Sequence, residues 1–448
     1  MTKSQDLTKG TLWKQMLLFF FPIALGTIFQ QLYNAVDAII VGKYVGTEAL
    51  AAVGGTPGVY INFLISVFVG LTGGSAVIIA QLYGAGKHKM LEKATGTAIT
   101  FCLVLGAVLT VTATLLTDPV LRLLGTPEDT MADSATYLRI YFAGTILMLL
   151  LNIESGILRA VGDSRSPLIY MIISCVSNIV LDLLFVIQFG LGVAGVAYAT
   201  VIAEFINTAL LTVKLIRTKE PYRITRRGMG LDPGLLRQML AIGIPAAIQG
   251  AIYAVCNMIQ QAAVNGLGTQ TVAAWVLAGK IDGIYWGISG AGGTTVTTFA
   301  GQNFGAGNRE RVENTFKTGM KVFVPMTLIL CGALLPLGPT ILPLFTEDAE
   351  LIKMTFYMMC FFVPFYVFWT VIEVTTGTLR GCGDVKIPTL ITILGIGLFR
   401  VIWLATVYRA DPCVETVAVT YAISWILTSI AMLIYYHKNK NRILSAER

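Results

Sequence analysis

Apolar residues in this chain neither alternate nor keep to one stripe; they continue in long runs. Twelve stretches approach or exceed the ~20 residues that carry a helix across a bilayer: 16–41, 58–82, 96–116, 137–157, 167–188, 193–215, 238–264, 272–299, 318–338, 354–378, 388–408 and 416–436. Their continuity predicts α-helices, because barrel strands would alternate over ~10 residues. The polar segments between them are short. The most polar of these is the basic stretch "RTKEPYRITRRGMGLDPG" at 217–234.

The runs fall into two similar sets. "PIALGTIFQQLYNAVDAIIVGKYVGTEALAA" from Pro22 parallels "PAAIQGAIYAVCNMIQQAAVNGLGTQTVAA" from Pro245, "QLYGAG" at 81–86 parallels "QNFGAG" at 302–307, and "LRAVGDSRSP" at 158–167 parallels "LRGCGDVKIP" at 379–388. The spacing predicts a six-helix lobe over 1–216, a cytoplasmic linker over 217–234 and a second six-helix lobe over 235–448. Six is even, so both copies enter the membrane in the same direction. The expected fold is an all-α integral membrane protein whose two bundles are related by a pseudo-twofold axis along the membrane normal. Gly-Ala-Gly is expected to end a helix, and Gly-Asp before proline to make a tight turn. Arg159 with Asp163, and Arg380 with Asp384, are candidate locks on an inner gate.

Composition agrees with burial in lipid: 55% of residues are hydrophobic and 13% charged, about half the ~25% charge of a soluble domain, and the mean hydropathy is +0.73. Most of the 32 lysines and arginines fall in segments that are cytoplasmic if both termini are inside, which sets the expected orientation in the plasma membrane. The net charge of +7 is therefore a topological signal. No basic stretch carries the interleaved aromatics that would stack on nucleic-acid bases. The basic N-terminus precedes a run containing Pro22, Gln30, Gln31, Asn34 and Asp37, so it reads as a retained first helix, without the features of a cleaved signal. Seven cysteines without a CxxC pair read as small packing residues. His88 and His437 have no metal-ligand partner at suitable spacing, which argues against catalytic zinc. With no nucleophile and base paired in a span, an enzyme is not expected, and neither is a cofactor.

Duplication makes each half a control for the other. Asp37 matches Gln260, Asn178 matches Phe399 and Asp182 matches Trp403; laying Tyr198 on Tyr421 puts Thr200 on Ile423. The first half thus carries oxygen-bearing groups where the second has lost its carboxylates. Asn178 and Asp182 are spaced i, i+4 and share a helix face. Residues 182 and 200 are equally far from the loop centred near 191, and Asp37 lies at similar depth below its own loop, so the four can converge. A charge at the bilayer centre costs at least ~2.5 kcal/mol, which makes an intramembrane acid a functional-site hypothesis by default. Asp37, Asn178, Asp182 and Thr200 are therefore expected to bind a proton or a hard cation such as Na⁺, with no other metal.

The two six-helix sets, "VDAIIVG" ending helix one, "QLYGAG", "LRAVGDSRSP" and N-x-x-x-D in helix five together resemble the multidrug and toxic compound extrusion (MATE) transporters over essentially the whole chain. The resemblance implies a secondary active antiporter that exports cationic or amphiphilic compounds in exchange for Na⁺ or H⁺ by alternating access. In the branch with an N-lobe cation site, the family's residues fall on Asp37, Asn178, Asp182 and Thr200, and its helix-one bending proline falls on Pro22; in another branch that relies on C-lobe acids, Gln260 replaces the helix-seven acid while Glu373 in helix ten keeps that option open. Substrate-path candidates are Gln30, Gln31, Tyr33 and Asn34, then Gln249, Tyr253, Asn257, Gln260 and Glu373, since aromatics and a carboxylate suit an organic cation. The expected partners are that small molecule and the lipid bilayer, with the protein a monomer. The alternative on the same scaffold is a flippase for a lipid-linked precursor, which would need a cationic cavity. Only Lys280 and Arg400 are available for such a cavity, which weighs against the flippase, and Lys280, Asp282 and Arg400 are left without an assigned role.

Overall fold

The computed structural model describes residues 6–445; Lys3 and Arg448, which contribute to the charge bias, lie outside them. Every regular element among the described residues is helical. The first half supplies α1 (Leu12–Ile40), α2 (Thr47–Gly54), α3 (Thr56–Gly84), α4 (His88–Leu123), α5 (Glu128–Ala143), α6 (Thr145–Ala160), α7 (Arg165–Asp182) and α8 (Gly192–Arg217). The second supplies α9 (Pro233–Asn265), α10 (Thr269–Gly305), α11 (Arg309–Ile341), α12 (Ala349–Phe362), α13 (Tyr366–Gly381), α14 (Lys386–Thr392), α15 (Phe399–Ala410) and α16 (Val414–Ser445).

Ten of the resulting spans are long and apolar enough to cross a membrane, and α5 with α6 makes an eleventh that bends by 47°. The remaining expected span, 272–299, lies within α10, which is 37 residues long but carries Lys280 and Asp282. The bend between α5 and α6 falls at Gly144, and the equivalent helix of the second half breaks at the 3₁₀ turn Val363–Phe365. Both breaks are invisible in the apolar pattern. Gly144 owes its place to tertiary crowding, since a Cβ there would come within 2.9 Å of Val201.

The repeated loop motifs are helix C-caps of one type. Gly86 and Gly307 have φ of 66° and 72°, and Gly162 and Gly383 have 90° and 82°, so all four are left-handed. At each, the glycine N–H bonds back to the carbonyl three residues earlier, and the next residue's N–H to the one five earlier: Gly162 to Arg159 and Asp163 to Leu158, as Gly383 to Arg380 and Asp384 to Leu379. This is the Schellman closure, which supplies partners to carbonyls that the helix end would otherwise leave bare.

The chain forms two compact units, one built on Phe21–Ala247 and one on Leu7–Phe20 with Ile248–Arg448. The division falls inside α1 and inside α9, and the 217–234 segment belongs to the first unit. Packing explains this. In the first unit, Gly74 and Gly243 let α3 and α9 touch backbone to backbone; a Cβ on Gly74 would sit 2.1 Å from the Met239 carbonyl. Gly96 of α4 likewise receives the Gly228 carbonyl, and Asp232 caps α9 by accepting from Gly234 and Leu235 N–H, each at 3.0 Å. In the second unit, Arg311 donates to the carbonyls of Lys9 (2.8 Å) and Gly10 (2.9 Å), while Phe19 packs edge-on against Phe299 and Phe20 tilts on Phe323. Pro22 lies inside an unbroken α1, two residues past that division.

Candidate cation and substrate sites

A cavity of about 390 Å³ opens among α1, α2, α3, α5, α6, α7 and α8 of the first unit. Asp37 and Thr200 line it. Asn178 and Asp182 sit deeper, at 1% and 0% exposure. Both acids stand where a helix loosens: a π-turn follows at Val41–Val45 in one case and Leu183–Gln188 in the other, the kind of local widening often found at functional sites.

The Asp37 and Asp182 carboxyls adjoin one another. Five of the side-chain atoms here lack a hydrogen-bonding partner: Oδ1 of Asp37, both oxygens of Asp182, and Oδ1 and Nδ2 of Asn178. Each buried orphan of this kind costs about 1–3 kcal/mol. Such a concentration is a cost a fold does not keep without a further partner, and the donors are hard oxygens. Thr200 spends its hydroxyl proton on the Val196 carbonyl at 3.0 Å, so its lone pairs remain free to accept or coordinate.

Of the helix-one candidates, Gln30, Tyr33 and Asn34 line this cavity, as does Pro22, whereas Gln31 is exposed elsewhere on α1. Two further charged residues line it: Glu204, which was not a candidate, and Arg159, which was expected at an inner gate. Glu204 stands one turn beyond Thr200 on α8, an i, i+4 spacing already legible in the sequence. Arg159 is the one basic residue of the lining.

The expected gate pairs take different partners. Asp163 binds Lys214 Nζ at 2.7 Å and accepts from the Ser166 N–H and hydroxyl at 3.0 and 2.7 Å, so it caps α7. Asp384 accepts from the Tyr435 hydroxyl at 2.7 Å. Neither acid is ion-paired with Arg159 or Arg380 among the described residues. Side chains lean toward the N-terminus of their helix, which carries Arg159 back along α6 into the cavity while the Schellman turn places Asp163 beyond the helix end.

In the second unit the candidates scatter. Gln249 donates to the Tyr253 hydroxyl at 3.3 Å, and the Tyr253 ring lies 5.9 Å from Trp369. Glu373 packs against Gly293, where a Cβ would meet its Oε2 at 2.2 Å. Gln260, 1% exposed, accepts from Arg400 Nη1 at 3.2 Å. The Arg400 guanidinium also donates to Ser424 at 3.2 Å and lies 4.0 Å from the Tyr421 ring centroid. Asn257 lines a second cavity of about 220 Å³.

The MatE family model matches residues 22–184 and 245–406, one copy in each half. The probable multidrug resistance protein YoeA of Bacillus subtilis (strain 168) is 31% identical over 400 residues, covering 88% of this chain and 86% of the relative. The probable multidrug resistance protein YpnP of the same organism is 27% identical, covering 97% of each. In fold, the chain is similar to a multidrug resistance MATE family transporter of the MOP superfamily solved in an outward-facing conformation, with a TM-score of 0.92, 23% identity and 99% of each chain covered.

Proposed function

The chain belongs to the MatE family, whose members are transporters, and from that premise we propose a secondary active antiporter of the plasma membrane, both termini cytoplasmic. It exports cationic or amphiphilic organic compounds against inward movement of Na⁺ or H⁺ by alternating access, and works as a monomer. The names of its multidrug-resistance relatives support the cargo. The observation that carries the coupling is the buried Asp37–Asp182 pair with its orphaned oxygens and the unpartnered Asn178 amide.

Two like charges ~4 Å apart repel by about 4 kcal/mol at an effective dielectric of 20. A proton or Na⁺ held between the carboxyls removes that repulsion and gives the orphaned oxygens a partner. Asn178 and Thr200 complete an oxygen shell from the neighbouring helix faces. Loading therefore draws α1 toward α7, and unloading releases it. Because α1 also lines the 390 Å³ cavity through Gln30, Tyr33 and Asn34, the same motion alters the space available to an organic cargo. Ion and cargo then compete by favouring different arrangements of one helix, and each shifts the balance only by its differential affinity. Glu204 supplies a counter-charge to a cationic cargo, and Tyr33, Tyr137 and Tyr141 offer ring faces.

A lipid-linked precursor, with its phosphates, would need a basic lining; Arg159 alone, against Asp37 and Glu204, does not provide one. The deciding experiment is ethidium or norfloxacin efflux from proteoliposomes under an imposed Na⁺ or H⁺ gradient. Wild-type protein is expected to respond to one gradient, and Asp37→Asn and Asp182→Asn to neither. Undiminished gradient-driven efflux in both variants would remove the coupling role from this pair.

A further inference from the structure

The second cavity, wholly within the second unit, has a composition that the coupling mechanism does not use. Its walls are Trp275, Trp286, Phe362 and Tyr421, and its one charged lining residue is Asp282. The rings are set at angles to one another and so form a box: Trp275 lies 6.4 Å from Phe362 at 68° and 5.9 Å from Tyr421 at 51°. All four rings border the open space.

Asp282 is held in place. One of its oxygens accepts the Tyr366 hydroxyl. Tyr366 is itself fully buried and stacked on Tyr285 at 3.8 Å and 2°, and the Tyr285 hydroxyl donates to the Tyr366 carbonyl at 2.8 Å. Gly279 keeps the chamber open, because a Cβ there would meet nothing within 4 Å. Arg400 stays out of the lining; it covers Tyr421 from outside and is held by Gln260 and Ser424.

We propose that this chamber is a separate binding site for a small monovalent organic cation, an aryl or alkyl ammonium, taken between the aromatic walls with Asp282 as its counter-ion. Ring faces attract cations through their quadrupoles, most strongly where water is excluded, and a fixed carboxylate inside an aromatic box selects charge as well as shape. A volume near 220 Å³ admits a single-ring ammonium compound. The proposal rests on the reading of the protein as a carrier of organic cations. Its test is an equilibrium measurement that does not depend on ion coupling.

The test is isothermal titration of benzyltrimethylammonium into full-length protein in nanodiscs, carried in an Asp37→Asn background so that the first unit's acid pair is neutralised. Binding should persist there, and should weaken at least about tenfold on adding Asp282→Asn, which removes the charge. Gly279→Leu should abolish it by filling the chamber while leaving every wall residue and the carboxylate in place. Leucine also improves the helix propensity of the site, so loss of binding in that variant does not reduce to loss of fold. Unchanged affinity in either variant, no binding in the Asp37→Asn protein, or tighter binding of benzoate than of benzyltrimethylammonium would overturn the proposal. Failure of gradient-driven efflux with these titrations as expected would instead count against the antiport reading alone.

Discussion

At matched positions the two halves solve the same problem differently. The first buries Asp37, Asn178 and Asp182 and leaves their polar atoms without partners. The second has Gln260, Phe399 and Trp403 there, and beside Phe399 stands Arg400, whose guanidinium binds Gln260 and Ser424 and stacks on Tyr421. Trp403, opposite Asp182 in the repeat, donates its indole N–H to the Thr416 carbonyl at 2.9 Å and leaves nothing to titrate. On the proposed function, the second half carries a covalently attached cation where the first has oxygen donors for one that comes and goes. One lobe is on that proposal responsive and its twin locked, with the difference lying in a few side chains on a shared scaffold.

The largest expected effect comes from breaking the responsive side. Asp182→Asn should reduce gradient-driven efflux in proteoliposomes by at least about a hundredfold, to the leak, if one ion must load per cycle. The variant should unfold no more readily than wild type, because it removes a desolvated charge instead of a packed group.

Next comes the locked side. Arg400→Ala removes a buried hydrogen-bonded cation from an aromatic stack and should lower stability by about 2–4 kcal/mol, read as an earlier midpoint in a thermal aggregation assay. Arg400→Lys should recover less than half of that, since an ammonium lacks the planar fork that bonds and stacks together.

A smaller effect tests the revised gate. Lys214→Met leaves Asp163, whose side chain is 3% exposed, without its ion-pair partner and should cost about 1–2 kcal/mol, whereas Arg159→Gln should leave stability unchanged and alter cargo selectivity through the cavity. The smallest effect concerns what the halves share. Gly86→Ala and Gly307→Ala should each cost about 1 kcal/mol through the left-handed C-cap, and equally so, measured by the same thermal assay.

Much of this was legible in the sequence. Length and continuity of the apolar runs marked the helices, and the constant register of the repeats marked the halves. Comparing the copies exposed Asp37, Asn178 and Asp182, because a carboxylate in an apolar run is costly wherever it points. Other features depend on three-dimensional crowding that periodicity does not encode. The breaks at Gly144 and Val363–Phe365 interrupt continuous apolar runs, and the π-turns after Asp37 and Asp182 change hydrogen-bond register without changing hydrophobicity. The crossing of Leu7–Phe20 into the second unit depends on aromatic contacts to residues some 300 positions away. Lys214 could not be matched to Asp163 by spacing, since they meet across two helices. Glu204 was within reach: it repeats, from Thr200, the same one-turn step that singled out Asn178 and Asp182.

The claim that one lobe exchanges a small cation while the other keeps its own is tested most directly by counting ions. Purified protein in weak buffer, equilibrated with a pH-indicating dye and ²²Na⁺, is given saturating ethidium. Wild type and Arg400→Lys should release about one H⁺ or Na⁺ per protein, the shared load of a coupled carboxyl pair, and Asp37→Asn and Asp182→Asn should release none. Equal release from all four proteins would place the exchanging site outside this pair and contradict the account.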